Sequence, residues 1–310
     1  MLVFTDTPVD WIDFNANRIY VKRDDLLHKE FSGNKARKFA YFLHNEFPGV
    51  TRLIGYGSPV ANSLYSMSAL AKLKGWQLDF YTDHIATQVL SSSVGNYAEA
   101  IKNGANVIDL SLRADRDDRS CRQYIEEVVL LEEPSALFVP EGGRCLYARD
   151  GVHQLAQEVV DWFTSQELTE LTVFLPSGTG TTALFLNEYF VLNNHNINVM
   201  TCACVGGEAY LEQQFSELIE DSKFHPVVIK TAKKYHFGKL YKAFYDIWKK
   251  VGEQGIEFEL LYDPKGWLCV EQYLQNNADT TVLYIHQGGL LGNATMLPRY
   301  QRKYEQVKKI

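Results

Sequence analysis

Reactive side chains concentrate in one stretch of this chain, Lys22-Arg23-Asp24-Asp25-Leu26-Leu27-His28, followed by Phe31-Ser32-Gly33-Asn34-Lys35-Ala36-Arg37-Lys38. A strand reading, Arg18 to Lys22, runs into a polar loop, and Ser-Gly-Asn precedes a helical run. Lys35 therefore falls in the first turn of a helix, where backbone N–H groups lack intrahelical partners and the dipole is positive. Acidic side chains normally occupy that turn. Lys35 is either a surface cation clustered with Arg37 and Lys38, or a lysine whose ammonium is destabilised so that its amine can form a Schiff base.

A second chemical site is Pro176-Ser177-Gly178-Thr179-Gly180-Thr181-Thr182-Ala183, between the apolar strand Leu171 to Leu175 and a helix. Two glycines allow a tight turn whose N–H groups converge, hydroxyls add donors, and the helix N-terminus adds a positive field. The result is a cradle for a small anion, phosphate above all. The Gly-Lys-Ser/Thr ending of a nucleotide P-loop is missing. Gly178-x-Gly180-x-x-Ala183 fits a dinucleotide fingerprint weakly, so an NAD-dependent oxidoreductase is an alternative. Against it, the acidic residue expected about 20 positions later would fall near Cys202 and Cys204, which are not acidic.

The elements that must position these groups alternate along the chain. Strands are expected at 18–22, 52–57, 77–81, 106–110 and 136–139, with helices at 34–45, 64–74, 97–103 and 120–131 between or after them. Following Pro140-Glu141-Gly142-Gly143 come helices at 151–165, 182–192, 208–219, 239–251 and 267–275, and strands at 170–175, 197–205, 227–230 and 281–286. The segment Phe258 to Tyr262 lies between, and a Lys- and Tyr-rich helical tail closes the chain. This β-α rhythm specifies parallel sheets flanked by helices, hence two doubly wound α/β domains with a break near Pro140. The expected division is a larger domain from 1–47 plus 141–310, with 48–140 inserted as a smaller one.

Size and charge exclude several classes. A chain of 310 residues is long enough for two cores. A net charge of −7 argues against nucleic acid or anionic membrane as partner. No apolar run approaches the ~20 residues of a membrane span, and Met1 to Asp6 shows no secretory pattern, so a cytoplasmic protein is expected. The five cysteines, Cys121, Cys145, Cys202, Cys204 and Cys269, are scattered and read as buried free thiols, with no metal expected.

Five motifs, in order, resemble the 1-aminocyclopropane-1-carboxylate (ACC) deaminase/D-cysteine desulfhydrase family of pyridoxal-phosphate enzymes, which share the tryptophan-synthase-β fold (fold type II). They are Lys22 to His28 with Ser32 to Lys38, Pro140-Glu141-Gly142-Gly143, the loop Ser177 to Thr182, Leu261-Tyr262-Asp263-Pro264-Lys265, and His286-Gln287-Gly288-Gly289. The resemblance spans nearly the whole chain and implies a cofactor in the cleft between the two domains. It implies Lys35 as the Schiff-base lysine and Ser177, Gly178, Thr179, Gly180, Thr181 and Thr182 as the phosphate site. It further implies Asn62 at the cofactor's phenolic oxygen, Tyr262 over the substrate and Gln287 near the pyridine nitrogen. Without the family, Asn62 reads as an N-cap, Tyr262 as a strand-end aromatic and His286 as a structural histidine. A homodimer acting on a small amino acid is what the resemblance implies for partners.

The departures bear on substrate. Family members usually place Ser immediately before the asparagine; here that residue is Ala61, with Ser58 and Ser63 as the nearby hydroxyls. Ring-opening deaminases carry Glu after the active-site tyrosine, where this chain has Asp263, and Gln287 stands in place of Thr. The expected reaction is β-elimination, D-cysteine giving pyruvate, ammonia and sulfide, with Lys35 moving the Cα proton and Tyr262 at the leaving thiolate. The turn from Ser58 to Ser63 would hold the substrate carboxylate. ACC deamination is the alternative, less favoured because of Ala61. A cofactor-binding protein without turnover is a further alternative.

Overall fold

The computed structural model describes residues 4, 6–31 and 33–305. Ser32 of the lysine motif and most of the N-terminal segment Met1 to Asp6 lie outside the described residues. In chain order the elements are β1 (Val9–Phe14), β2 (Asn17–Lys22), α1 (Gly33–His44), β3 (Arg52–Tyr56), α2 (Asn62–Lys74), β4 (Gln77–Thr82), α3 (Thr87–Leu90), α4 (Asn96–Lys102), β5 (Asn106–Asp109), α5 (Cys121–Tyr124), α6 (Leu130–Glu132) and β6 (Leu137–Phe138). They continue with α7 (Ala148–Ser165), β7 (Leu171–Ser177), α8 (Thr181–Leu192), β8 (Ile197–Ala203), α9 (Glu208–Leu218), β9 (Val227–Val228), α10 (Lys242–Gly252), α11 (Asp263–Leu274), β10 (Val282–Ile285) and α12 (Asn293–Tyr304).

Two sheets result. The larger has the order β1-β2-β10-β7-β8-β9, and the smaller β5-β4-β3-β6. Every pairing is parallel except the β1–β2 hairpin at the edge. β7 is buried at every position, as a central parallel strand covered on both faces must be. On one face Val152, Leu155 and Val159 of α7 pack with Leu184 and Phe185 of α8. On the other, Trp267 of α11 stacks on Tyr284 of β10 at 4.4 Å. The smaller sheet buries Leu53, Leu78 and Phe80 in one cluster with Phe39 and Phe42 of α1 and Leu64 and Leu70 of α2. α1 also packs against α7, where a Cβ on Gly151 would lie 2.1 Å from the Arg37 carbonyl oxygen. The helix bearing Lys35 is therefore shared between the two cores.

The parallel architecture places four loops at carboxyl ends of strands: Gly57-Ser58 after β3, Glu141–Gly143 after β6, Gly178–Gly180 after β7 and Gln287–Gly289 after β10. Ligand sites in open α/β sheets form there. Three local expectations are corrected. β1 was not anticipated; its Val-Asp-Trp-Ile-Asp-Phe alternation pairs with β2 across Asn15 (φ 52°) and Ala16 (φ 65°), both left-handed as a two-residue hairpin requires. α11 begins at Asp263 rather than Trp267, because Pro264 suits a first helical turn. The expected helix 120–131 is continuous from Cys121 to Glu132, but its middle, Ile125–Val129, is π-helical rather than α-helical.

Candidate active site

The N-terminus of α1 is fixed by close approach to the end of β10. Gly33 has φ 66°, and a Cβ there would lie 1.9 Å from the Gln287 carbonyl oxygen, so only glycine fits. The Asn34 N–H donates to that oxygen at 3.1 Å. Its side-chain amide donates to Gln287 Oε1 at 2.8 Å, and Gln287 Nε2 donates to the Pro176 carbonyl at 2.7 Å. Gln287 thus ties α1 to β7. These bonds leave one Oε1 lone pair and one amide hydrogen unengaged.

Lys35, on the third residue of α1, is half-buried. Burial lowers its amine below the ordinary 10.5, against the opposing pulls of Lys38 and the Glu141 carboxyl. Lys38, one turn on, is 2% exposed and donates from Nζ to the Gly142 carbonyl. Burial, with the charge of Lys35, pushes it well down. Arg37 is fully buried and pairs with Asp24 (3.0 and 2.9 Å) and Glu158 (2.7 and 2.6 Å). Burial disfavours its charge, but the two carboxylates outweigh it and raise its pKa. The reading of a surface basic cluster is therefore overturned: two of its three members are buried, and Lys35 is a desolvated amine.

The loop expected to cradle an anion lies at the start of α8. Gly180 caps the helix with φ 72°, and a Cβ there would lie 2.3 Å from the Phe215 ring. Gly178 lies under Tyr262, whose ring would be 3.3 Å from a Cβ. Thr179 Oγ1 and Thr181 Oγ1 are 2.9 Å apart. Thr182 Oγ1 is buried with no hydrogen-bond partner among the described residues. Native buried hydroxyls are almost always satisfied, so an orphan at a helix N-terminus fits an absent anionic acceptor. Ser177 Oγ is 2.6 Å from Thr201 Oγ1 and belongs to the floor of the cradle. Residues and fold together fit the phosphate of pyridoxal phosphate.

Tyr262 packs on Phe237, ring centroids 5.1 Å apart. Burial, followed by Glu259, raises its phenol, which stays neutral and can donate. Glu259 accepts from the N–H groups of Leu261 (2.7 Å), Tyr262 and Asp263 (2.8 Å), capping α11. Asp263 is 1% exposed and accepts from Tyr284 Oη at 2.7 Å and the Glu259 N–H at 3.0 Å. Both its oxygens are engaged within the core. Asn62 opens α2, its Nδ2 3.4 Å from a Cβ on Gly289. Ser58 is exposed, while Ser63 is buried in the first turn of α2. Ala61 is the N-cap and supplies no side-chain bond. His286 is structural: Nε2 pairs with the Glu257 carbonyl at 2.6 Å and Nδ1 with the Gly288 N–H at 3.1 Å. Beside Ser58 opens a cavity of about 430 Å³ whose wall includes Tyr56, His84, Arg122 and Glu141.

Sequence reasoning did not assign roles to Glu141, Lys38, Glu259 or Phe237. Glu141 was legible as part of a motif, and Glu259 as an acid just before a Pro-containing first turn. Phe237 lies in a loop with no pattern to announce it.

No protein-family model matches the chain. A protein of Pyrococcus horikoshii, provisionally named 1-aminocyclopropane-1-carboxylate deaminase, is 24% identical, the match covering 94% of this chain and 91% of that protein. A protein of Oryza sativa, provisionally named D-cysteine desulfhydrase 2, mitochondrial, is 25% identical over 93% of this chain and 81% of its own. Among solved structures, an ACC deaminase homologue superposes with a TM-score of 0.78 at 22% identity, covering 97% of this chain and 95% of that one. Serine racemase of Dictyostelium discoideum superposes with a TM-score of 0.64 at 14% identity, over 92% and 93%. The fold is that of the fold type II pyridoxal-phosphate enzymes, and the sequence relatives are named as a deaminase and a desulfhydrase. Within that class the chain resembles the ACC deaminase/D-cysteine desulfhydrase family, as its five motifs implied. No helix among the described residues is long and apolar enough to cross a membrane.

Proposed function

We propose that the protein removes the β-substituent of a small amino acid, with D-cysteine as the best-supported substrate: D-cysteine and water give pyruvate, ammonia and hydrogen sulfide. The carrying observation is the desolvated amine of Lys35 in the first turn of α1, a helix tied at its start to the ends of β10 and β7 through Gln287. Bound pyridoxal phosphate would supply an electron sink. Thr181, Thr182 and the N-terminus of α8 would hold its phosphate. Lys35, with its lowered pKa, is suited to take the proton from Cα. Tyr262, neutral through burial, would donate to the departing sulfur. The turn from Ser58 to Ser63 would seat the substrate carboxylate at the start of α2.

Ring opening of ACC is the second reading, favoured by the name of the Pyrococcus relative. Ala61 stands against it, because no hydroxyl is present at that position and Ser63 is buried in the helix. The deciding experiment is a substrate panel of D-cysteine, L-cysteine, D-serine and ACC, with pyruvate, 2-oxobutanoate and sulfide as products. Sulfide from D-cysteine at the highest kcat/KM is expected. 2-Oxobutanoate from ACC as the dominant product would replace this reading, and no product from any compound with cofactor bound would leave a binding protein without turnover. A homodimer is proposed on the resemblance alone.

A further inference from the structure

The motif Pro140-Glu141-Gly142-Gly143 presents a carboxyl group that no step above uses. Its turn is held from several sides. A Cβ on Gly142 would come within 2.9 Å of the Thr179 side chain, and one on Gly143 within 2.7 Å of the Phe39 ring. Both glycines have positive φ, 66° and 72°, and Lys38 donates to the Gly142 carbonyl. From this fixed turn the Glu141 side chain reaches over the β3 loop, Oε1 lying 3.3 Å from a Cβ on Gly57. It lies on the wall of the 430 Å³ cavity, close enough to the Lys35 amine for each charge to act on the other.

The other charges around this cavity are already matched. Arg122 pairs with Glu126 at 2.8 Å, Asp83 with Arg116, and Arg144 with Glu217, while His84 Nδ1 is 3.4 Å from Asp109. Glu141 makes no hydrogen bond or ion pair through its side chain among the described residues. Burial raises its carboxyl above the ordinary 4.5, Lys35 and Arg144 oppose that rise and Asp83 adds to it, and the phenols of Tyr56, Tyr210 and Tyr262 lie within its field.

Resting on the proposed function, the geometry points to Glu141 as a specificity-determining residue that accepts substrate side chains ending in a hydrogen-bond donor or an ammonium and rejects those ending in a carboxylate. A second anion beside an unpaired carboxylate in a confined cleft is repelled strongly. A hydroxyl, thiol, amide or ammonium instead gives it a charge-assisted hydrogen bond.

Equilibrium binding separates this role from turnover. Cofactor-loaded protein is titrated with both enantiomers of asparagine, aspartate and 2,4-diaminobutyrate, which lack a good β-leaving group, and Kd is read from the cofactor absorbance. Asparagine and 2,4-diaminobutyrate are expected to bind at least about tenfold more tightly than aspartate. Glu141→Gln is expected to bring asparagine and aspartate within about threefold, while Glu141→Asp keeps the order. Equal binding of asparagine and aspartate by the wild-type protein overturns the assignment, with or without a folded variant. So does a Gln variant that still discriminates tenfold; in both cases the lyase reading stands. Absence of any absorbance change with every amino acid, D-cysteine included, would remove both.

Discussion

Helix α1 carries three basic residues within four positions and treats them in two opposite ways. Arg37 points into the region between α1, α7 and the loop before α1, where Asp24 and Glu158 meet its guanidinium on both edges. Lys22 joins the same network at 2.8 Å from Glu158. Lys35 and Lys38 instead share a region with one carbonyl acceptor and one unpaired carboxyl. The same helix thus holds one cation charged by surrounding it with anions, and drives two others toward neutrality by withholding them. Structure needs the first arrangement and amine chemistry needs the second, and they occupy different faces of one helical turn. Arg cannot be neutralised in proteins, whereas Lys shifts readily when buried, which accounts for the residue types chosen.

The largest expected effect is on the reactive side of this comparison. Lys35→Ala should lower kcat/KM for D-cysteine by at least about a thousandfold, measured by pyruvate release, since the group that attaches cofactor and moves the proton is gone. On the structural side, Arg37→Met strips Asp24 of its guanidinium and leaves Glu158 only Lys22, and should cost about 3–5 kcal/mol in urea unfolding of the apo-protein. Lys38→Met, equally buried, should change stability by less than about 1 kcal/mol. Equal losses from the two would erase the distinction between the faces. Gly33→Ala should weaken pyridoxal-phosphate binding by about tenfold or more in equilibrium dialysis, because the new methyl group collides with the Gln287 carbonyl and shifts the start of α1.

The smallest effect is a slope. Lys35 and Lys38 have folded pKa values below the ordinary 10.5, so the unfolded chain binds more protons over the interval between. Stability of the apo-protein should therefore rise with pH through that interval, as the penalty on the buried charged form is removed. Chemical denaturation of wild type and Lys38→Met at several alkaline pH values measures it, and the variant should show the shallower rise. A steeper rise in the variant would mean that Lys38 is held charged.

Much of this was legible before any coordinates. Strand–loop–helix punctuation singled out Lys35 and the cradle loop as candidates, because glycines at positive φ and small polar residues leave a strong local signature. The parallel sheets followed from the alternation of apolar strands such as Leu171 to Leu175 with amphipathic helices. What escaped depended on tertiary contact. Burial of Arg37 rests on Glu158, 121 positions away, and no local pattern reports it. Gln287 was expected near the pyridine nitrogen by resemblance, and its bonds to Asn34 and Pro176 come from two distant segments. The edge strand β1 hid behind a turn, Asn15-Ala16, that lacks the usual glycine.

The central claim is that Lys35 is the covalent anchor of pyridoxal phosphate. Wild-type protein loaded with the cofactor, reduced with borohydride and digested should yield one pyridoxyl-modified peptide, with the modification on Lys35. A modification on Lys38 instead, or no adduct on either lysine despite bound cofactor, would contradict the account.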